Sequence, residues 1–78
     1  MQPHDLAMAR LGTAVKARRK LLGLTQEALA RRAGCGMVFV YNLERGKPSL
    51  RLDKLLDILH VLGMDIVVTP RDRESPTA

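Results

Sequence analysis

The sequence predicts an all-α domain of about four helices, followed by one short C-terminal β-strand that pairs across a dimer. Three observations carry this expectation. Apolar residues recur at helical spacing in successive stretches, glycines at positions 23, 34, 46 and 63 punctuate those stretches, and "MDIVVTP" over 64–70 is a β-branched run closed by a proline. The chain divides into a helical domain over 1–63, the strand over 64–70 and a polar, disordered tail over 71–78.

Residues 5–22 carry Leu11, Val15 and Leu22 at helical spacing, while Ala7, Ala9, Ala14 and Ala17 add helix propensity, and Gly23 ends the helix. Thr25 has the chemistry of an N-cap, its hydroxyl accepting from an unpaired backbone N–H. A second helix therefore runs from about 26 to 33, with Ala28 and Leu29 as an inward pair. "AGCG" is a tight turn in which Gly34 takes the left-handed conformation without steric cost.

The run over 37–41 is ambiguous. Its β-branched and aromatic residues favour a strand, yet so short an apolar run cannot be separated from a buried helix by pattern alone. A helical projection of 36–45 resolves it, placing Phe39, Val40, Leu43 and Glu44 on one arc and Met37, Val38, Tyr41, Asn42 and Arg45 on the other. A third helix over 37–45 then closes a helix-turn-helix. Past Gly46, "KPSL" turns the chain into a fourth helix over about 50–62, where Leu52, Leu55, Leu56, Leu59 and Leu62 form a stripe.

Length and charge bound the function. A chain of 78 residues is a single domain with a marginal core, so association with a second copy is expected. The formal charge of +5 is unevenly placed: residues 1–51 hold ten Lys or Arg against three acids, residues 52–78 three against five. The front of the chain thus faces a polyanion, of which nucleic acid is the commonest, though a solvated basic face would read similarly. No apolar stretch approaches the roughly 18 residues of a membrane span. Residues 1–12 lack the basic start and apolar run of a signal peptide, so a cytoplasmic, nucleoid-associated protein is expected.

No catalytic constellation stands out. Cys35 has no partner for a disulfide and reads as a small turn residue; with only His4 and His60 elsewhere there is no metal-ligand spacing, and no cofactor is expected. No nucleophile lies near a base, and no Gly-rich phosphate loop or carboxylate pair is present, so the chain reads as a non-enzyme.

Two features read as structural. Arg19 lies on the inward stripe of helix one and Glu44 on the inward face of helix three, and a buried charge needs a partner, so the two are expected to pair. The strand lacks a second strand in its own chain. Its exposed edge is expected to pair with a two-fold related copy through Met64, Ile66, Val67 and Val68.

At "LGLTQEALARRAG" followed by "LERGK", the chain resembles the lambda repressor and Cro-like helix-turn-helix family, often called Xre-type regulators, over about residues 10–63. The marks are Thr25 and Gln26 opening helix two, Ala30 facing helix three, Gly34 in the turn, and Glu44, Gly46 and Lys47 closing helix three. Within that family, "GKPSLRLDKLLDILHVLGMDIVV" is most similar to short HipB-like antitoxins, a strand standing where a fifth helix is usual.

The resemblance implies that helix three enters the major groove of DNA. Met37, Val38, Tyr41 and Asn42 would face the bases. Many relatives carry Gln, Ser or Arg where Met37 and Val38 stand here; these two can pack on a thymine methyl or serve as a helix-start staple. Gln26, Arg45, Lys47 and Arg51 would meet phosphates, while Arg31 and Arg32 could equally be solvated at a helix end. The family's arginine–glutamate pair falls on Arg19 and Glu44. A homodimer on a palindromic operator and a HipA-like kinase toxin as partner are also implied. Three functions remain open: an autorepressing antitoxin, a stand-alone phage or restriction-control repressor, and a protein-interaction adaptor whose apolar Met37, Val38 and Tyr41 dock on a protein.

Overall fold

In the computed structural model, which describes residues 2–70, four helices follow one another: α1 (Pro3–Leu21), α2 (Gln26–Ala33), α3 (Met37–Glu44) and α4 (Leu52–Leu62). Helix α1 begins two residues earlier than expected. Pro3 occupies its first turn, where a missing N–H costs nothing, and the Asp5 carboxylate accepts from the Gln2 backbone N–H at 2.9 Å. Helix α3 stops at Glu44, with Arg45 as its C-cap. Helix α4 starts at Leu52 rather than near 50, because Arg51 is extended as its N-cap and Leu50 packs against the core from outside the helix.

All four helices end in the same way. A residue just past each end donates back to the carbonyl five positions earlier: Leu24 to Arg19, Cys35 to Ala30, Lys47 to Asn42 and Met64 to Leu59. This wrap requires a left-handed residue before the donor, which glycine supplies at 34 (φ 72°) and 46 (φ 82°) as at the other two ends.

Helix α3 packs on α1 and α2, and α4 on α2 and α1. Val15, Leu29, Val40, Leu43, Ile58 and Leu62 form the fully buried centre, with Leu11, Leu24, Phe39 and Met64 at its margin. The inward pair of α2 is Leu29 and Ala30, Ala28 being only half-buried. The α4 stripe also differs from the expected run of leucines. Its inward arc centres on Leu55 and Leu62 and takes in Ile58 and Leu59, so Leu52 and Leu56 stand exposed at its side. Leu22, expected inward, caps α1 and is exposed.

Among the described residues there is no β-strand. Residues 64–70 carry neither helix nor strand pairing, since a ladder needs a neighbouring extended segment and the single chain offers none. Met64 is held by its bond to Leu59 and packs on the core, whereas Ile66, Val67 and Val68 are exposed. The expected disordered tail over 71–78 lies outside the described residues.

Gly12 sets the distance between α1 and α3. A Cβ built there would lie 2.5 Å from the Leu43 carbonyl oxygen and 2.6 Å from that of Glu44. Both obstacles are backbone and cannot rotate away. Gly12→Ala should therefore cost about 3 kcal/mol, the upper end for overpacking, despite alanine's better helix propensity. Urea denaturation should show a lower midpoint with little change in slope.

Candidate nucleic-acid interface

The surface built by α2 and α3 starts from local rules. The Thr25 hydroxyl accepts from the Ala28 N–H at 3.0 Å and fixes the start of α2, while Gly34 and Cys35 turn the chain. Ala30, almost wholly buried, brings only a methyl to the face of α2 that packs within the domain. Burial pushes the Cys35 thiol pKa up, which keeps this half-buried turn residue protonated. The Lys54 ammonium donates to the Gly34 carbonyl at 3.1 Å and ties the turn to α4.

Helix α3 shows the two arcs expected of it. Val40 and Leu43 are fully buried, whereas Met37, Val38 and Tyr41 are 51%, 69% and 51% exposed. Asn42 is half-buried on the outward side, and the Arg45 guanidinium lies over the Tyr41 ring, 5.5 Å from its centroid. Arg45 separates two clefts. The larger, about 350 Å³, is lined by Asn42, Arg45, Gly46, Lys47 and Pro48. The smaller, about 120 Å³, is lined by Lys16, Gln26, Tyr41, Glu44 and Arg45.

Behind this surface lies the ion pair. Arg19 donates from Nε to Glu44 Oε2 at 2.6 Å and from Nη2 to Oε1 at 3.0 Å, and its Nη1 donates to the Leu24 carbonyl at 2.8 Å. The side chains are 10% and 4% exposed. Gln26 Nε2 donates to Glu44 Oε1 at 3.1 Å, which orients the amide and leaves one Nε2 hydrogen for another acceptor. Burial pushes the Glu44 pKa up, but the hydrogen bonds from Arg19 and Gln26 and the charges of Arg19 and Lys16 outweigh it, so Glu44 titrates below the ordinary carboxylate range. The hydrogen bond to Glu44 likewise raises the Arg19 pKa against the opposing effect of burial.

The remaining expected residues scatter more widely. Lys47 is exposed just beyond α3, beside Asn42 and Arg45. Arg51 is bound by two hydrogen bonds to Asp53, Nε to Oδ1 at 3.2 Å and Nη2 to Oδ2 at 2.7 Å, so a phosphate there would compete with a carboxylate. Arg31 lies 3.6 Å from Glu27 in an exposed i, i+4 pair, and Arg32 is exposed. Sequence reasoning missed Lys16. Its signal was present, since Lys16 precedes Arg19 by three residues and so shares its side of α1.

Comparison with known proteins agrees with this geometry. Residues 15–68 match the family described as Helix-turn-helix. Over 66 residues the chain is 39% identical to y4mF of Sinorhizobium fredii, named as an uncharacterized HTH-type transcriptional regulator, covering 83% of this chain and 87% of that protein. The chain belongs to the helix-turn-helix family of DNA-binding transcriptional regulators. Among the described residues no helix is long and apolar enough to cross a membrane.

Removing one member of the ion pair strands the other in the interior. Arg19→Met or Glu44→Leu alone should cost on the order of 3 to 5 kcal/mol, and the double variant much less than their sum. Thermal melts of the four proteins measure this coupling; additivity would mean that the side chains act independently. The lowered Glu44 pKa gives stability that is complete above the ordinary carboxylate range and lost as pH falls through the lowered value. The wild-type melting temperature should therefore drop more steeply into acid than that of the double variant.

Proposed function

We propose that this regulator is a sequence-specific repressor that binds a palindromic operator as a homodimer, and that it is the antitoxin of a HipBA-like pair. In that role it represses its own operon on the nucleoid and holds a HipA-like kinase toxin. The observation that supports operator binding most directly is the outward arc of α3, where Met37, Val38, Tyr41 and Asn42 stand in a row with Lys16, Arg45 and Lys47 around them. In a helix-turn-helix such an arc lies in the major groove, and flanking cations and amides meet phosphates. Gln26, with its one remaining amide hydrogen, and Arg45 and Lys47 are the phosphate contacts of this reading; Arg51 joins them only by leaving Asp53.

The dimer and antitoxin parts rest on the C-terminal segment. Ile66, Val67 and Val68 are exposed on one chain, an arrangement that a second copy would relieve by pairing 64–70 with its own 64–70. The similarity of residues 46–68 to HipB-like antitoxins supports the toxin. The decisive experiment is co-purification with the neighbouring gene product, followed by footprinting on the upstream promoter. Capture of a kinase-like protein and a two-fold symmetric footprint are expected. A footprint without a captured partner leaves a stand-alone repressor.

Operator affinity should fall with salt at a log–log slope of about −0.9 per phosphate neutralised. Arg45→Ala or Lys47→Ala should weaken binding to all sequences alike. Asn42→Ala should relax the preference at one base pair, at a cost of about 1 to 3 kcal/mol; an unchanged preference in competition would remove Asn42 from the reading face.

Val67→Pro should take a hydrogen bond from the shared ladder in both copies at once. Sedimentation should then find monomer where the parent is a dimer, with circular dichroism confirming that the helices persist. A folded, dimeric Val67→Pro protein would move the dimer contact elsewhere.

A further inference from the structure

The first turn of α3 offers an exposed surface of one chemical kind. Met37 and Val38 are 51% and 69% exposed, the turn holds no acidic residue, and its N-cap, Gly36, has no side chain. Neither Met37 nor Val38 can donate a hydrogen bond from its side chain, and only the weakly accepting thioether is polar. The polar side chains of the outward arc come later, Tyr41 and Asn42 within the helix and Arg45 at its C-cap. On the reading that α3 enters the major groove, this order has a consequence for the DNA.

Among the base edges exposed in that groove, guanine and adenine present acceptors, cytosine and adenine present amino donors, and thymine alone adds a methyl group at C5. Pressing Met37 or Val38 on a polar edge would strip its water without replacing the hydrogen bond. Pressing either on a C5 methyl group buries apolar surface on both sides. We propose that Met37 and Val38 read C5-methyl groups of pyrimidines, so that each operator half-site carries thymines opposite the start of α3, and that sequence is read there by methyl contact rather than by hydrogen bonds. The cations Lys16, Arg45 and Lys47 around the arc favour DNA over a neutral protein groove as the occupant. A 5-methylcytosine presents the same methyl group, so the readout extends to methylated cytosine.

The test isolates the methyl. Duplexes selected by the full-length protein from a random pool are remade with deoxyuridine replacing thymidine at one half-site position at a time, which leaves base pairing intact, and are compared by competition. Wild-type protein should lose about fourfold in affinity at one or two positions, the effect of one buried methyl-sized group, and be indifferent elsewhere. In Met37→Ala and Val38→Ala, whose exposed sites leave the fold intact by circular dichroism, the loss at the matching position should disappear. Replacing such a thymine–adenine pair by cytosine–guanine should be partly rescued when the cytosine is 5-methylated. Selected duplexes bound with strong preference but with no deoxyuridine effect would overturn methyl reading and leave the repressor reading standing. Selection that yields no preferred sequence would overturn both, and point to a protein as the occupant of the arc.

Discussion

Three elements of this small domain converge on one carboxylate. Glu44 receives two hydrogen bonds from Arg19 of α1 and one from Gln26 at the start of α2, and Arg19 also holds the Leu24 carbonyl between those helices. The pair fixes where α1, the α1–α2 connection and the last turn of α3 stand relative to one another. A buried ion pair is not in itself a source of great stability, because desolvation offsets most of its attraction. Its contribution is geometric. The guanidinium and carboxylate meet in a two-point contact that tolerates little displacement, and Gly12 allows α1 close enough to α3 for that contact to form.

The same arrangement couples the interior to the binding surface. Gln26 and Glu44 line the cleft beside Tyr41 and Arg45, so the hydrogen-bonded network that holds the buried Arg19 reaches the surface at that cleft. Arg45 caps α3 and lies over Tyr41, which restrains a long flexible side chain before any ligand arrives. Ordering such side chains beforehand reduces the entropy that binding must overcome. Position on the surface and satisfaction of the core are therefore one problem in this fold, and Glu44 is where they meet.

Much of this was legible in the sequence, and the parts that were not share a cause. The Thr25 cap, the left-handed Gly34 and the pairing of Arg19 with Glu44 follow from local chemistry or from the need to neutralise a buried charge, and the structure has all three. The two arcs of α3 were readable because helical spacing puts Val40 and Leu43, three residues apart, on one side, as their burial requires, where a strand would turn them to opposite faces. Ile58 in place of Leu52 and Leu56 was not, because α4 is apolar on more than one side and identity alone does not reveal which leucines face inward. The Arg51–Asp53 pair escaped for a related reason, whereas Lys16 was signalled by its place three residues before Arg19. Long charged side chains choose among partners that only the assembled surface defines.

The size of α3 bears on the proposed pairing of two copies. Its eight residues span about 12 Å of helix axis, at about 1.5 Å per residue. Stacked base pairs rise about 3.4 Å each, so on the proposed reading α3 would span only three or four of them. A site that short recurs by chance throughout any genome and cannot distinguish an operator. On the proposed reading, a second α3 from another copy, held at a fixed distance, would supply the missing specificity. Residues 64–70 suit that role: they follow the end of α4, they expose Ile66, Val67 and Val68, and they belong to the stretch over 52–78 where acids outnumber bases. Pairing there would use none of Met37, Val38, Tyr41, Asn42, Arg45 and Lys47, so that the contact joining the copies and the contact with DNA would not compete for the same residues.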